Sequence, residues 1–208
     1  MASAGDPVGT GLVASLAHPG GNVTGYSVIY PEVARKRAAL LHELLPEARR
    51  ICVFVNPLGE VSGRLRAVTE AAYRSLGIET CFIEVASEPQ FLDAIAEAAQ
   101  QRAAALEINL SIWTDAFVQA LLRSRLPAIV DDKDLVHAGV LISFAPDQTE
   151  GNRRVAAILD KVLRGAKPAD LPIEQPTRFD LVINMNAAKI LGLTVPKPLL
   201  MRADELIN

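Results

Sequence analysis

The chain has 208 residues, half of them apolar and only 5% aromatic, with 21 basic against 24 acidic side chains and a formal charge of −3. This length buries a substantial core, as one large domain or two small ones. The slight acidic excess argues against nucleic acid as a partner, because phosphate binding needs a basic face, and no apolar run approaches the ~20 residues that span a bilayer, which excludes direct membrane insertion by a helix.

The first thirty residues carry a helix-like run, Val8–Ala17, then the breaker cluster Pro19-Gly20-Gly21-Asn22 and an extended stretch, Val23–Tyr30. Met1–Gly11 has neither the basic start nor the apolar h-region of a secretory signal. A helix is expected from about Glu32 to Leu45, with Ala34, Ala38, Leu41, Leu44 and Leu45 on its core face and Arg35, Lys36 and Glu43 in water, ended by Pro46.

Five short apolar runs follow: Ile51–Val55, Thr80–Glu84, Ala103–Ile108, Pro127–Val130 and Val140–Phe144. Each is too short for a helix and is bounded by turn or polar residues. The segments between them have helical spacing, as in Val68, Ala71, Ala72 and Leu76, in Phe91, Ile95 and Ala99, and in Phe117, Leu121 and Leu122. Strand, crossover helix and parallel strand therefore repeat, which predicts an α/β lobe with a doubly wound parallel sheet of order 2-1-3-4-5. Cys52 and Cys81 fall inside the first two strands, where buried free thiols are expected in preference to a disulfide.

Beyond residue 147 come a helix, Glu150–Leu163, stopped by Gly165 and Pro168, then an extended stretch Leu171–Pro176, a strand Asp180–Asn184, a short helix Ala187–Leu191 and a tail interrupted by prolines. The five central strands complete a sheet by themselves, so Val23–Ile29 and Leu181–Ile183 have no partners in it. Backbone groups that must be paired then assign both flanks to a second lobe. The expected organisation is a remnant of a first lobe with a crossover (1–30), one complete lobe (31–147) and a return segment belonging to the first lobe (148–208). Packing of Leu181, Ile183, Ile190, Leu191 and Leu193 would then be poor, favouring self-association through the unpaired remnant.

Two strings carry a family resemblance. The first is Gly5-Asp6-Pro7-Val8, with Leu12-Val13, Ser15-Leu16 and Pro19-Gly20-Gly21-Asn22-Val23-Thr24-Gly25. The second runs Leu163-Arg164-Gly165-Ala166-Lys167-Pro168-Ala169-Asp170-Leu171-Pro172, Gln175-Pro176-Thr177, Leu181-Val182-Ile183-Asn184, Ala187-Ala188-Lys189 and Leu191-Gly192-Leu193-Thr194-Val195-Pro196. With Val53, Val55-Asn56-Pro57, Val136 and Ala138-Gly139 between them, this set resembles the ABC-transporter substrate-binding proteins that include tryptophan- and tyrosine-type members. The resemblance implies two lobes of the type I periplasmic-binding kind, joined by strand crossovers, which close on a small solute presented to a membrane permease. Members carry a signal peptide and further residues before the Gly-Asp-Pro string, so the resemblance implies an N-terminally truncated form. It implies a periplasmic protein too, whereas the chain as written, lacking a signal, reads as cytoplasmic.

In an open α/β sheet, ligands meet the C-terminal strand ends where strand order reverses. Asn56 and Pro57 follow the first strand and Asn109 the third, and an Asn offers a small polar solute both donor and acceptor; Asn-Pro is also an ordinary turn opener. Asp131 and Asp132 follow the fourth strand, placed to pair with a ligand amino group or to cap the next helix. Ser62, Ser111 and Trp113 flank the same edge, with capping and surface packing as their ordinary uses, and Tyr26 and Ser27 lie in the crossover, within reach of a cleft. His18, His42 and His137 are scattered, and no metal-ligand spacing, nucleophile motif or phosphate loop occurs, so neither catalysis nor a cofactor is expected. The reading is a solute-binding component of an ABC-type importer, with an amino acid as the solute its named relatives suggest. Its rivals are the effector-binding region of a transcriptional regulator and a flavodoxin-like nucleotide-using enzyme.

Overall fold

The five central runs are strands in the computed structural model of the chain, which describes residues 5–28, 30–57, 62–110 and 114–208, and for Ser62 and Arg64 the backbone alone. After helix α1 (Tyr30–Leu44) come β1 (Arg50–Val55), α2 (Ser62–Arg74), β2 (Glu79–Glu84), α3 (Phe91–Gln100), β3 (Ala105–Asn109), α4 (Asp115–Ser124), β4 (Ala128–Val130), α5 (Lys133–His137) and β5 (Ile142–Pro146). β2, β1, β3, β4 and β5 lie side by side in that order, the reversal falling between β1 and β3. The pairings among them are parallel, with Cys52 level with Cys81 and with Leu106.

Side chains alternate across such a sheet, so each strand feeds two cores. Cys52, Phe54, Leu106, Ile108 and Val130 face α3 and α4, where Phe91, Ala98, Phe117 and Leu121 close one core. Phe91 and Phe117 stack at 4.3 Å between ring centres. Ile51, Val53, Ala105 and Ile129 alternate with these and are fully buried as well. Among them stands Glu107, which α1 and α2 reach through Arg37 and Tyr73.

The sheet does not stop at β5. α6 (Gln148–Leu163) leads away, and the chain returns as β6 (Phe179–Asn184), α7 (Met185–Ile190), α8 (Lys197–Arg202) and β7 (Glu205–Ile207), which complete the order β2-β1-β3-β4-β5-β6-β7. Asn184 N–H donates to Leu141 (2.9 Å) and Asp147 N–H to Arg178 (3.1 Å), so β6 runs antiparallel to β5, and β7 runs parallel to β6. Leu181 and Ile183, expected to be orphaned, are 4% and 0% exposed. The five-strand sheet is thus corrected to seven: the outer side of β5 is itself an open row of donors and acceptors, which the later strand fills.

The chain divides into two compact units, one of residues 1–30 and 146–179, the other of 31–145 and 180–208. Residues 148–179 group with the N-terminal segment, but 180–208 group with the central lobe, which corrects the assignment of the whole 148–208 segment to the first lobe. The smaller unit is organised by α6, whose N-terminus is capped by Asp147, and by an isolated parallel bridge between Tyr26 and Glu174. Residues 7–14 form turns held by Asp6, which accepts from Gly9 N–H at 2.8 Å, in place of the expected helix over Val8–Ala17. Gly11 and Gly20 within that run and its breaker cluster both take positive φ, which helices do not tolerate.

Cys52 and Cys81 are bonded to each other, correcting the expectation of free thiols. They lie directly opposite in adjacent strands with Cα atoms 4.5 Å apart, a separation a disulfide can bridge. Among the described residues no helix is long and apolar enough to cross a membrane. Integration of the tail into the central sheet sets an expected outcome: Ile183→Ala destabilises the protein by about 2–5 kcal/mol in urea unfolding, whereas Ile190→Ala, at a site 69% exposed, changes it by less than ~0.5 kcal/mol. Equal, small effects would show that β6 is not part of the core.

Candidate functional site

The register of the parallel strands lines up their C-terminal ends. Val55 pairs with Asn109, Ile108 with Val130, and Val130 with Ser143, so Asn109 and Asp131 stand abreast at the sheet edge with Phe144 next in line. In-register residues share a face. Asn109 and Asp131 therefore lie on the side carrying Glu107, while Asn56, one residue further along β1 than Val55, lies on the other.

A buried polar network anchors the first side. Arg37, on α1, has a side chain 6% exposed, and its Nη1 is 3.6 Å from the Oε1 of Glu107, whose side chain is 1% exposed. Arg37 Nε donates to the Phe144 carbonyl at 3.0 Å, and Nη1 also donates to Asn109 Oδ1. Asn109 Nδ2 donates to Glu107 Oε1 at 3.1 Å, and the Tyr73 hydroxyl donates to Glu107 Oε2 at 2.7 Å. Burial and the adjacent Glu107 push the Tyr73 hydroxyl well above the usual phenol range, which keeps it a donor. Burial pushes the Asp131 carboxyl above the usual carboxylate range, a rise the Arg37 guanidinium partly offsets. A hydrogen bond from its own backbone N–H also favours the Asp131 carboxylate, while the Oδ1 of Asp132 caps α5 by accepting from Asp134 N–H at 2.9 Å.

The second side is a shallow recess with a cavity volume of about 20 Å³, lined by Asn56, Val85, Ser87, Glu88, Phe91 and Leu110. Glu88 accepts from Thr114, the residue that caps α4. A larger depression lies at the opposite edge of the sheet, walled by Leu121, Leu122, Val140 and Ile190. Its Asn184 is fully occupied, donating to the Val136 carbonyl and accepting from Ala187 N–H.

The structure brings together five of the residues expected from sequence: Asn56, Pro57, Asn109, Asp131 and Asp132 share the C-terminal edge, although Asn56 and Asn109 face opposite sides and Asp132 acts as a helix cap. Asn109 accepts from Arg37 through Oδ1 and donates one of its two amide N–H groups to Glu107. Tyr26 and Ser27 belong to the smaller unit, where they are 4% and 2% exposed. There the Tyr26 ring packs on Gly151, a Cβ at which would lie 3.3 Å from it, and Ser27 N–H donates to Glu174. Ser111, Trp113 and the Ser62 side chain lie outside the described residues. Arg37, Glu107 and Tyr73 were not foreseen. Their signal was present: Arg37 falls on the stripe of Ala34, Ala38 and Leu41, and Glu107 interrupts an apolar strand.

The protein-family description "ABC transporter substrate binding protein" matches residues 1–207. The chain belongs to that family. A tyrosine-binding protein of Clostridioides difficile is 24% identical over 202 residues, covering 93% of this chain and 56% of the relative, so the chain spans little more than half of that protein's length. Among solved structures, an ABC domain in complex with L-Trp from Streptococcus pneumonia shares 28% identity at a TM-score of 0.87, over 100% of this chain and 72% of its own. A conserved domain protein from Vibrio cholerae O1 biovar El Tor shares 25% at a TM-score of 0.85, over 97% and 68%. Family and fold thus agree with the resemblance carried by the Gly-Asp-Pro and Arg-Gly-Ala-Lys-Pro strings. The described residues contain no cluster of three His, Cys, Asp or Glu placed to hold a metal.

The Asp131 shift gives a pH test. Its folded pKa is raised, so the folded chain holds this proton more tightly than the unfolded chain; the desolvation cost is present above the folded pKa and fades as pH falls through it. Asp131→Asn should therefore raise stability at pH 7, with the advantage shrinking toward pH 3.8, the unperturbed value. Urea unfolding of both proteins at the two ends of that range measures the difference, and a gain that is constant with pH would contradict it.

Proposed function

We propose that the chain is a solute-binding component of an ABC-type importer and that its solute is an L-amino acid with an apolar, aromatic side chain. The observation that carries this reading is a half-buried carboxylate, Asp131, on the same strand edge as a shallow recess lined by Asn56, Phe91 and Leu110. Two interstrand spacings, about 10 Å, separate the end of β1 from that of β4, a span suited to one amino acid. Its ammonium would meet Asp131 and its side chain the recess beside Asn56 and Pro57. The relatives add weight: one is a tyrosine-binding protein and another was solved with L-Trp.

In this proposal the solute is taken up on the outer side of the membrane and delivered to a permease, without covalent chemistry. Binding would stabilise a closed form of a two-lobed clamp, a population shift driven by the ligand's preference for that form. A carboxylate facing an ammonium is a charge-assisted pair, the strong class of hydrogen bond.

Titration of the isotopically labelled full chain with L-tryptophan, L-tyrosine and D-ribose, followed by amide NMR, tests the reading. Both amino acids should shift the resonances of Asn109, Val130 and Leu110, ribose should not, and Asp131→Asn should weaken the amino acids at least ~10-fold, the value of one charge-assisted hydrogen bond. Binding of ribose alone, or amino acid binding indifferent to Asp131→Asn, would overturn it.

A further inference from the structure

We infer that Arg37, through Nη2 and together with the outer N–H of Asn109, receives the carboxylate of the ligand, so that the strand edge selects zwitterions over amines. This inference rests on the amino acid reading given above and adds the residue that reads the acid group. Three of the donor positions on Arg37 point inward, to the Phe144 carbonyl, to Asn109 and to Glu107. Nη2 makes no hydrogen bond with any described residue, on a side chain 6% exposed.

The network also fixes the Asn109 amide. A guanidinium only donates and a carboxylate only accepts, so Oδ1 must face Arg37 and one N–H must face Glu107. The second N–H of the same nitrogen makes no hydrogen bond with a described residue, so donors on Asn109 Nδ2 and Arg37 Nη2 remain for a ligand at this strand end. Asp131, abreast of Asn109 on the neighbouring strand about 5 Å away, offers acceptors alone. Arg37 and Asp131 do not form an ion pair with each other, although each feels the other's charge. Donors on one strand end and acceptors on the next, held apart, match a molecule that bears a carboxylate and an ammonium on one carbon.

Glu107 and Tyr73 then have a positioning role. Glu107 holds the guanidinium against the sheet, and Tyr73 holds Glu107. Because Arg37 enters its ligand geometry already ordered, little rotamer freedom is lost on binding. Lysine in its place would keep a charge for Glu107 but would supply a single nitrogen with no second one to turn outward.

The test compares L-tryptophan with tryptamine, which lacks the carboxylate, and with 3-indolepropionate, which lacks the ammonium, by calorimetry or NMR titration of the full chain. The wild type should prefer L-tryptophan to tryptamine by about 10- to 100-fold, as removing a charged hydrogen-bond partner predicts. Two variants separate ligand reading from packing. Arg37→Lys keeps the buried pair, and Arg37→Met with Glu107→Met removes both buried charges, a change that folded proteins tolerate. In each, thermal unfolding confirms the fold, and the tryptophan-to-tryptamine preference should fall to within ~2-fold while the preference over 3-indolepropionate, which depends on Asp131, survives. A preference for tryptophan over tryptamine that persists in both variants overturns the inference and leaves the amino acid reading standing. Absence of binding by tryptophan, tyrosine and both analogues to the wild type overturns the two together.

Discussion

A buried ion pair between α1 and β3 governs how this lobe holds the C-terminal edge of its sheet. Glu107 stands in the centre of a sheet face that is otherwise apolar, and leaving its carboxylate without Arg37 would cost about 3–5 kcal/mol. Replacing both by apolar side chains would remove that liability, so stability alone does not account for the pair. Its geometric result does: Arg37 ties α1 to β3 through Glu107 and Asn109, and to β5 through the Phe144 carbonyl. The first helix of the lobe and the ends of two non-adjacent strands thereby hold a fixed relation, and a strand edge becomes a template.

The two sides of that edge differ in kind because the strand period is two. Odd-numbered positions of β3, Glu107 and Asn109, turn toward the charged network, whereas Ile108 and Leu110 turn toward the aromatic core of Phe91 and Phe117. A solute lying across the edge therefore meets polar groups on one side and a shallow recess on the other. Burial of Asp131 costs the fold stability, a cost that the ammonium of the proposed ligand would offset.

The alternation of short apolar runs and helical spacings made the central lobe legible, because each run is a continuous hydrophobic segment bounded by turn residues. The place of Asn56, Asn109 and Asp131 at the strand ends was legible for the same reason, since each directly follows an apolar run or closes it. Three features were hidden. The strand Phe179–Asn184 is as apolar as the other core strands, but pattern cannot say which sheet it joins, and only the open side of β5 decides it. The cysteine pairing depends on register, which places Cys52 opposite Cys81 and is invisible in either run alone. Arg37 shared its helix with two solvent-facing cations, Arg35 and Lys36, and only its place three residues after Ala34 and four before Leu41 marked it as facing inward.

The larger unit is assembled from two stretches of chain separated by residues 146–179. During synthesis, β1 to β5 emerge before the segment that finishes their sheet exists, so the outer side of β5 stands uncovered while the intervening residues are made. An open row of backbone donors and acceptors on a growing chain is a template for misplaced strands. Nascent molecules that stall before residue 180 would accordingly be the aggregation-prone species, and chaperone dependence should reside in that interval of translation.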